Sequence, residues 1–313
     1  MSADPAGPVD IVVPGSISNL GPAFDALSVA VNVYLRLRVD AVRPDDRGAL
    51  EIHFESGAPP GENRIAMAFE RAATRFGGDT PGLSITVTSD IPMRAGLGSS
   101  AAATIAGLLL YESVTAPRAD SDWLGVASEI EGHPDNAAAA LLGGLSLSCQ
   151  YDDGVVDAWS WEWPGDLRFV VATPSAELET AFARKVLPSE ISRRDAVFNL
   201  QRALLLVRSL ESGDYAHLRE ALRDRWHQPF RQPFVPGLAE ALALDDPAVL
   251  GACLSGSGPS IALITDDRVS AVTHLLSAIY RKLGVACTIR TLSPHPPSRR
   301  LARVSSQGTG IRR

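Results

Sequence analysis

The stretch Pro92-Met93-Arg94-Ala95-Gly96-Leu97-Gly98-Ser99-Ser100-Ala101-Ala102-Ala103 constrains this chain more than any other. Two glycines and two serines run into an alanine-rich segment, a sequence that turns sharply and then enters a helix. Glycine lets the backbone bend and approach an anion with no Cβ in the way. A helix that follows aims its unpaired N–H groups and the positive end of its dipole at that anion. Upstream, Leu83-Ser84-Ile85-Thr86-Val87-Thr88 alternates apolar and polar residues, the period of a half-buried strand. Strand, glycine turn and helix in that order are the context of a phosphate cradle. The plainer alternative is an ordinary helix start capped by Ser99. The pattern is neither Gly-x-x-x-x-Gly-Lys-Ser/Thr, for it has no lysine to reach outer phosphates, nor Gly-x-Gly-x-x-Gly with an acidic residue for a ribose. A different kind of nucleotide loop is indicated.

The 313 residues suffice for two domains, and 45% hydrophobic with 21% charged residues is ordinary for a globular enzyme. No apolar run approaches the roughly 20 residues that span a bilayer, so no membrane partner is expected. Met1 to Pro8 lacks a basic stretch followed by an apolar one, and a cytoplasmic location is expected. Cys149, Cys253 and Cys287 have no paired spacing and read as buried thiols in a reducing compartment. A net charge of −7 argues against broad nucleic-acid binding. Arg299, Arg300, Arg303, Arg312 and Arg313 read as a solvated tail.

Along the first half, strands and helices alternate. Ile11 to Val13 reads as a short strand, and Val31 to Val39 as a half-buried one. Asn63 is placed to cap a helix carrying Ile65, Phe69, Ala72 and Phe76 and ending at Gly77-Gly78. The cradle helix runs to about Ser113, and Asp120 or Ser121 opens another with Leu124, Ala127 and Ile130. Trp159, Trp161 and Trp163 alternate with polar residues, an edge strand whose aromatic face packs between domains more readily than it stacks a ligand. The second half reads as α+β: strands at 167–172, 260–265 and 285–292, and helices at 196–210, 215–226 and 269–283. Domains are expected at 1–160 and 161–313.

Three further clusters are short, polar and set beside glycine. Pro14-Gly15-Ser16-Ile17-Ser18-Asn19-Leu20-Gly21-Pro22-Ala23-Phe24-Asp25 lies between two strands; Asn19 and Asp25 suit an ammonium or hydroxyl, and equally a loop of Asx-turns. Glu129-Ile130-Glu131-Gly132-His133-Pro134-Asp135-Asn136 gathers ionisable groups at a helix end, where a carboxylate suits Mg²⁺ and a His, Asp or Asn suits a substrate hydroxyl. A solvated face is the bland alternative, and His133 alone would be a structural residue. Ser255-Gly256-Ser257-Gly258-Pro259 makes a tight turn that brings backbone close to a phosphate or to another chain segment.

In this order the clusters resemble the superfamily of galactokinase, homoserine kinase, mevalonate kinase and phosphomevalonate kinase, and within it the homoserine kinases. Ser18 to Asp25 resembles that family's first motif, Gly96 to Ala102 its phosphate loop, Gly132 to Asn136 its substrate loop and Ser255 to Pro259 its third motif. Ile17-Ser18 and Ala23 depart from it, standing where the family more often has Ser-Ala and Gly.

The resemblance implies an α+β fold of two domains. The N-terminal ATP-binding domain would be of the ribosomal-protein-S5 type, the C-terminal domain ferredoxin-like, with the active site between them. It also implies ATP- and Mg²⁺-dependent phosphorylation of L-homoserine, a step of threonine biosynthesis. Asn63 is implied as a nucleoside contact, and Arg94, Ala95, Gly96, Leu97, Gly98, Ser99, Ser100 and Ala101 as the wrap around the phosphates. Ser100 and Glu129 are implied as the Mg²⁺ ligands. Asn19, Asp25, His133, Asn136, Thr180, Arg184 and Arg231 are implied as homoserine contacts. His133, Asp135, Asn136 and Arg184 are the expected catalytic group. Asp25 suits an ammonium, and Arg184 or Arg231 a carboxylate. Asp135 and Asn136 are expected to orient the hydroxyl rather than deprotonate it. A homodimer is implied as well. The alternatives are another small alcohol as acceptor, or a non-catalytic sensor on the same fold.

Overall fold

The computed structural model describes residues 9–59, 61–115, 122–176 and 178–298. Met1 to Pro8, Asp120, Ser121 and the arginines from Arg299 onward lie outside them. The first sheet holds β1 (Asp10–Ser18), β2 (Leu27–Arg43), β3 (Leu50–Phe54), β4 (Gly82–Ser89), β5 (Leu145–Gln150) and β6 (Val156–Trp161) in the order β3-β4-β2-β5-β6, with β1 also paired to β2. Its helices are α1 (Arg64–Phe76), α2 (Ser99–Val114), α3 (Trp123–Glu131) and α4 (Asp135–Leu142).

The second sheet orders its strands β10-β7-β9-β8, from β7 (Arg168–Pro174), β8 (Gly251–Leu254), β9 (Ile261–Thr265) and β10 (Cys287–Leu292). With it go α5 (Thr180–Lys185), α6 (Arg193–Ser212), α7 (Leu218–Ala221), α8 (Gln228–Arg231), α9 (Leu238–Leu242) and α10 (Val269–Leu283).

The 17-residue β2 organises the first sheet. Val31, Val33, Leu35, Leu37 and Val39 are buried while Asn32, Arg36 and Arg38 face solvent, the two-residue period of a strand with one covered side. It pairs antiparallel with the whole of β1 across its first two thirds, with β5 at its start and with β4 at its end. The α2 helix is apolar on nearly every side, with Ala101, Ala102, Ile105, Ala106, Leu108, Leu110 and Tyr111 buried, so it runs through the interior. It threads from the cavity mouth into the core, which is what a phosphate cradle backed by a rigid helix requires.

One apolar core joins the two sheets: Leu167, Phe169 and Val171, beside and on β7, pack in the same cluster as Leu27 and Leu145. Trp163 is buried with its ring 4.8 Å from that of Phe169, so this part of the aromatic run packs between the sheets. Some sequence-based expectations change. The first motif is strand as far as Ser18, because β2 supplies a ladder partner to every residue from Asp10. Asp122 caps α3 with a bond from Gly125 N to its carboxylate. The helix expected at 215–226 shrinks to α7, since Asp224 accepts the Trp226, His227 and Gln228 amides and so starts a separate turn. Cys149 is exposed rather than buried, and Cys287 is half-buried.

Phe169→Ala is expected to lower stability by about 3–5 kcal/mol, the usual cost of deleting an enclosed ring. Urea unfolding of the purified variant checks this, and a shift below about 1 kcal/mol would mean the two sheets do not share that contact.

Candidate active site

A cleft of about 220 Å³ lies where the first motif, the phosphate loop, the segment from Glu131 to Asn136 and the third glycine turn converge. One wall is the start of α2. Gly98 takes a left-handed conformation (φ +73°) and no side chain caps the helix. By contrast Asn63 caps α1, Asp122 caps α3 and Ser192 caps α6. The first bond of the α2 ladder runs from Ala102 N to Gly98 O, so the Ser99, Ser100 and Ala101 amides precede it. Ser99 is the first helical residue and caps nothing, which removes the plainer alternative for this loop.

Glycine is required at both loop positions. A Cβ on Gly96 would stand 2.4 Å from Ser255 O, and one on Gly98 2.3 Å from Ser16 Oγ. The loop carbonyls point away from the cavity into bonds: Leu97 O accepts from Ser16 N at 3.0 Å, Gly96 O from Ser255 Oγ at 2.6 Å, Ala95 O from Ser260 N at 3.1 Å. The third glycine turn is therefore packed on the phosphate loop, one of the two partners its sequence allowed. Ala95 and Leu97, expected to wrap the phosphates, have buried side chains and do not line the cavity.

Strain gathers here too. Among the described residues, the non-glycine positions with φ in the left-handed region are Asn19, Leu20, Asp25 and Arg94, and all but Leu20 line the cavity. Such strain persists where surrounding structure over-determines it, commonly at functional sites. Asn19 does that locally: its Oδ1 accepts Asp25 N at 2.9 Å and its Nδ2 donates to Gly256 O at 3.0 Å.

Opposite charges face one another across the cleft. Arg184 meets Asp25 with both arms, Nη2 to Oδ1 at 2.7 Å and Nη1 to Oδ2 at 2.9 Å, a bidentate fork. The Phe24 ring lies near two guanidinium groups, 5.4 Å from that of Arg184 and 5.3 Å from that of Arg231. Burial, then the nearby Arg184 cation, pushes the Arg231 guanidinium down to about 10, which leaves it cationic at neutral pH. Thr180 Oγ1 lies 3.3 Å from Ser257 Oγ at the rim.

His133 Nδ1 is 2.6 Å from Asp135 Oδ1, and both side chains are enclosed. Burial opposes charge on each. Even so, their shared hydrogen bond and charge raise the His133 imidazole above its ordinary value and hold the Asp135 carboxyl below its own. Asn136 is spanned by two serines of β1, donating from Nδ2 to Ser18 Oγ at 3.0 Å and accepting from Ser16 Oγ at 2.7 Å.

Two expected contacts are placed differently. Glu129 does not approach Ser100. Its carboxylate lies 3.7 Å from Arg71 and bonds Arg75, both on α1, and it is nearly half exposed. Glu131 takes its place: Ser100 Oγ donates to Glu131 Oε1 at 3.0 Å and Thr104 Oγ1 donates to the same oxygen at 2.6 Å. The two glutamates are two residues apart on α3, about 200° around the axis, so only one can face the cleft. Asn63 spends its Oδ1 on the Ile65 and Ala66 amides and does not line the cavity, whereas Arg64 does, donating to Ile130 O at 3.2 Å.

Comparison with known proteins gives the family and the fold. Residues 63–144 match the family of GHMP kinases N terminal domain, and residues 206–282 that of GHMP kinases C terminal. A homoserine kinase of Solibacter usitatus is 37% identical over 284 residues, covering 88% of this chain and 90% of the relative. One from Trichormus variabilis is 34% identical, covering 91% and 96%. Among solved structures, a homoserine kinase from Cytophaga hutchinsonii superposes with a TM-score of 0.80 at 25% identity over 95% of this chain and 98% of its own. A mevalonate kinase of L. major, at 15% identity and a TM-score of 0.63 over 94% and 99% of the two chains, shares the fold. The two-domain architecture is that of the GHMP kinases, small-molecule kinases that use ATP as phosphate donor. Within them, this chain belongs to the homoserine kinase family.

The opposite shifts of His133 and Asp135 fix a pH window. A raised imidazole stabilises the fold below its unfolded value of about 6.5 and loses that contribution as pH rises through the folded value; a depressed carboxyl stabilises above about 3.9 and loses it as pH falls through its folded value. The Tm difference between the wild type and Asp135→Asn is therefore expected to be greatest between about pH 4 and 6.5 and to narrow on either side. A difference that does not vary with pH would contradict the pairing.

Proposed function

We propose that this kinase transfers the γ-phosphoryl group of ATP to the side-chain hydroxyl of L-homoserine, giving O-phospho-L-homoserine and ADP in threonine biosynthesis. The observation that carries it is one cleft with two unlike ends. At one end stand the uncapped α2 amides with the Ser100–Glu131 oxygens; at the other stand Asp25, Arg184 and Arg231. The first end suits a polyphosphate, with backbone N–H groups and a helix dipole aimed at negative charge. The second suits a zwitterion: a carboxylate for the ammonium, planar guanidinium forks for the carboxylate. The relatives' names supply homoserine as the amino acid that carries a hydroxyl.

The donor set fits a divalent ion, because Ser100 and Glu131 present hard oxygens of the kind Mg²⁺ takes. Bound there, the ion would neutralise charge on the phosphates. Arg94, Gly96, Gly98, Ser99 and Ala101 line the polyphosphate end. Asn63 is proposed as a nucleoside contact only through its free amide group, since its Oδ1 is committed to the cap of α1. Asn19, Asn136 and Thr180 shape the acceptor end.

A carboxyl held below its ordinary value is a weak base, so Asp135, tied to His133, and Asn136, tied between two serines, orient the acceptor hydroxyl instead of abstracting its proton. Phosphoryl transfer through a loose transition state asks mainly for position and charge neutralisation, which this set supplies. A cytoplasmic homodimer is proposed on the family resemblance; light scattering of the purified chain tests its mass.

A coupled ADP-release assay with homoserine and its nearest analogues tests the acceptor. Homoserine is expected to give the highest kcat/KM, above serine and threonine; ADP release with homoserine no faster than with no acceptor would overturn the proposal. Glu131→Gln is expected to lose on the order of a hundredfold or more in kcat. Glu129→Gln should stay within about threefold of wild type, as a surface ion pair contributes little. The reverse ranking would restore Glu129 as the metal ligand.

A further inference from the structure

His227 is wholly enclosed, and its neighbours fix which ring nitrogen carries the proton. Nε2 lies 2.7 Å from Gly21 O, which can only accept, so Nε2 is the donor. Nδ1 is then an acceptor, and the donor facing it is Nη1 of Arg231 at 3.3 Å. The guanidinium is held on two more sides, with Nε donating to Ala183 O at 3.0 Å and Nη1 to Gly256 O at 3.0 Å. Nη2 has no protein partner among the described residues, and Arg231 lines the cleft.

The other groups around the ring leave this assignment intact. Asp224, in the turn before α8, has Oδ2 3.6 Å from Nε2. Its oxygens are already taken by Asn199 Nδ2 and the Trp226, His227 and Gln228 amides. Asp25 and Arg231 are the remaining charges that act on the ring, and the Phe24 ring lies 5.2 Å away. Burial above all, and the Arg231 cation against the pull of Asp224, hold the imidazole below its ordinary value. Gly21 belongs to the same turn as Asn19 and Asp25, so one ring links that turn to the guanidinium.

We propose that His227 is a positioning residue for the acceptor: it locks the Nη1 edge of Arg231 to the Asn19–Asp25 turn, so that Nη2 is presented to the acceptor's carboxylate. This rests on the proposed carboxylate contact of Arg231. Protonating Nδ1 removes the acceptor and sets two cations face to face. The unfolded chain takes up that proton near pH 6.5. The folded chain resists, so stability falls as pH drops below that value, and acceptor binding falls at the lower, folded one.

Steady-state kinetics from acid to neutral pH on wild type, His227→Gln, His227→Leu and Arg231→Ala test this. Arg231→Ala should raise the homoserine KM by about tenfold or more, the scale of a lost charge-assisted hydrogen bond. His227→Leu should raise it by about tenfold, with kcat and the ATP KM within about threefold. His227→Gln keeps a donor and an acceptor on one amide; it should stay near the wild-type KM while losing the acid rise in homoserine KM. Should His227→Leu not fold, the pH profile of His227→Gln decides. An acid rise retained in His227→Gln, or a wild-type homoserine KM in folded His227→Leu, would overturn the proposal. An unchanged homoserine KM in Arg231→Ala would instead overturn the carboxylate contact beneath it.

Discussion

The carbonyl oxygens of residues 95–97 are the pivot of this molecule. A glycine-rich loop has as many acceptors as donors, and it recognises an anion only if its acceptors are turned away. Here Ser260, Ser255 and Ser16 take the oxygens of Ala95, Gly96 and Leu97 in turn. Two of these donors come from the third glycine turn and its entry into β9, and one from β1. The loop's electrostatic sense is thus set by segments about 80 and 160 residues distant, and the cleft exists only when both sheets are assembled on their common core.

The same dependence governs the charges. Asp25 on the first motif and Arg184 on α5 meet at 2.7 Å, and the carboxylate is left only partly exposed. Half-buried as this pair is, leaving one member of the fork unpaired would cost more than at a fully exposed surface pair. The second cation, Arg231, is kept nearby by flanking one aromatic ring and by carbonyl acceptors, which spread its charge without neutralising it. Opposed guanidiniums and a carboxylate in one pocket are suited to a ligand that itself carries both signs.

Much of this was legible in the chain. A strand period before Gly96 and alanines after Gly98 placed the cradle, and Asn63 and Gly77 bounded α1 as local capping chemistry demands. The second strand was readable because its burial alternates residue by residue. What escaped reading depends on angle and partnership. Glu129 and Glu131 are equal candidates in one dimension and face opposite ways on α3, a distinction that follows from helical period once the Ser100 side of the helix is chosen. The pairing of Ser255 with Gly96 has no local signal, because a tight turn declares that backbone comes close without saying to what. Asp224, reading as an ordinary helical residue, instead ends one helix and starts the next by accepting three amides.

Catalytic roles follow from which groups are left unsatisfied. Asn136 has its oxygen engaged by Ser16, Asp135 one of its oxygens by the His133 imidazole, and Asp224 is engaged by four donors, so none is a strong base in waiting. Within the cleft, the amides at the start of α2, the Nη2 of Arg231 and the second oxygen of Glu131 are groups that no protein atom claims among the described residues. They are donors for anions and one acceptor for a cation, arranged along a single cleft. Groups open in this way along one cleft offer ligands position and charge compensation, and phosphoryl transfer is a reaction whose barrier yields to those two terms.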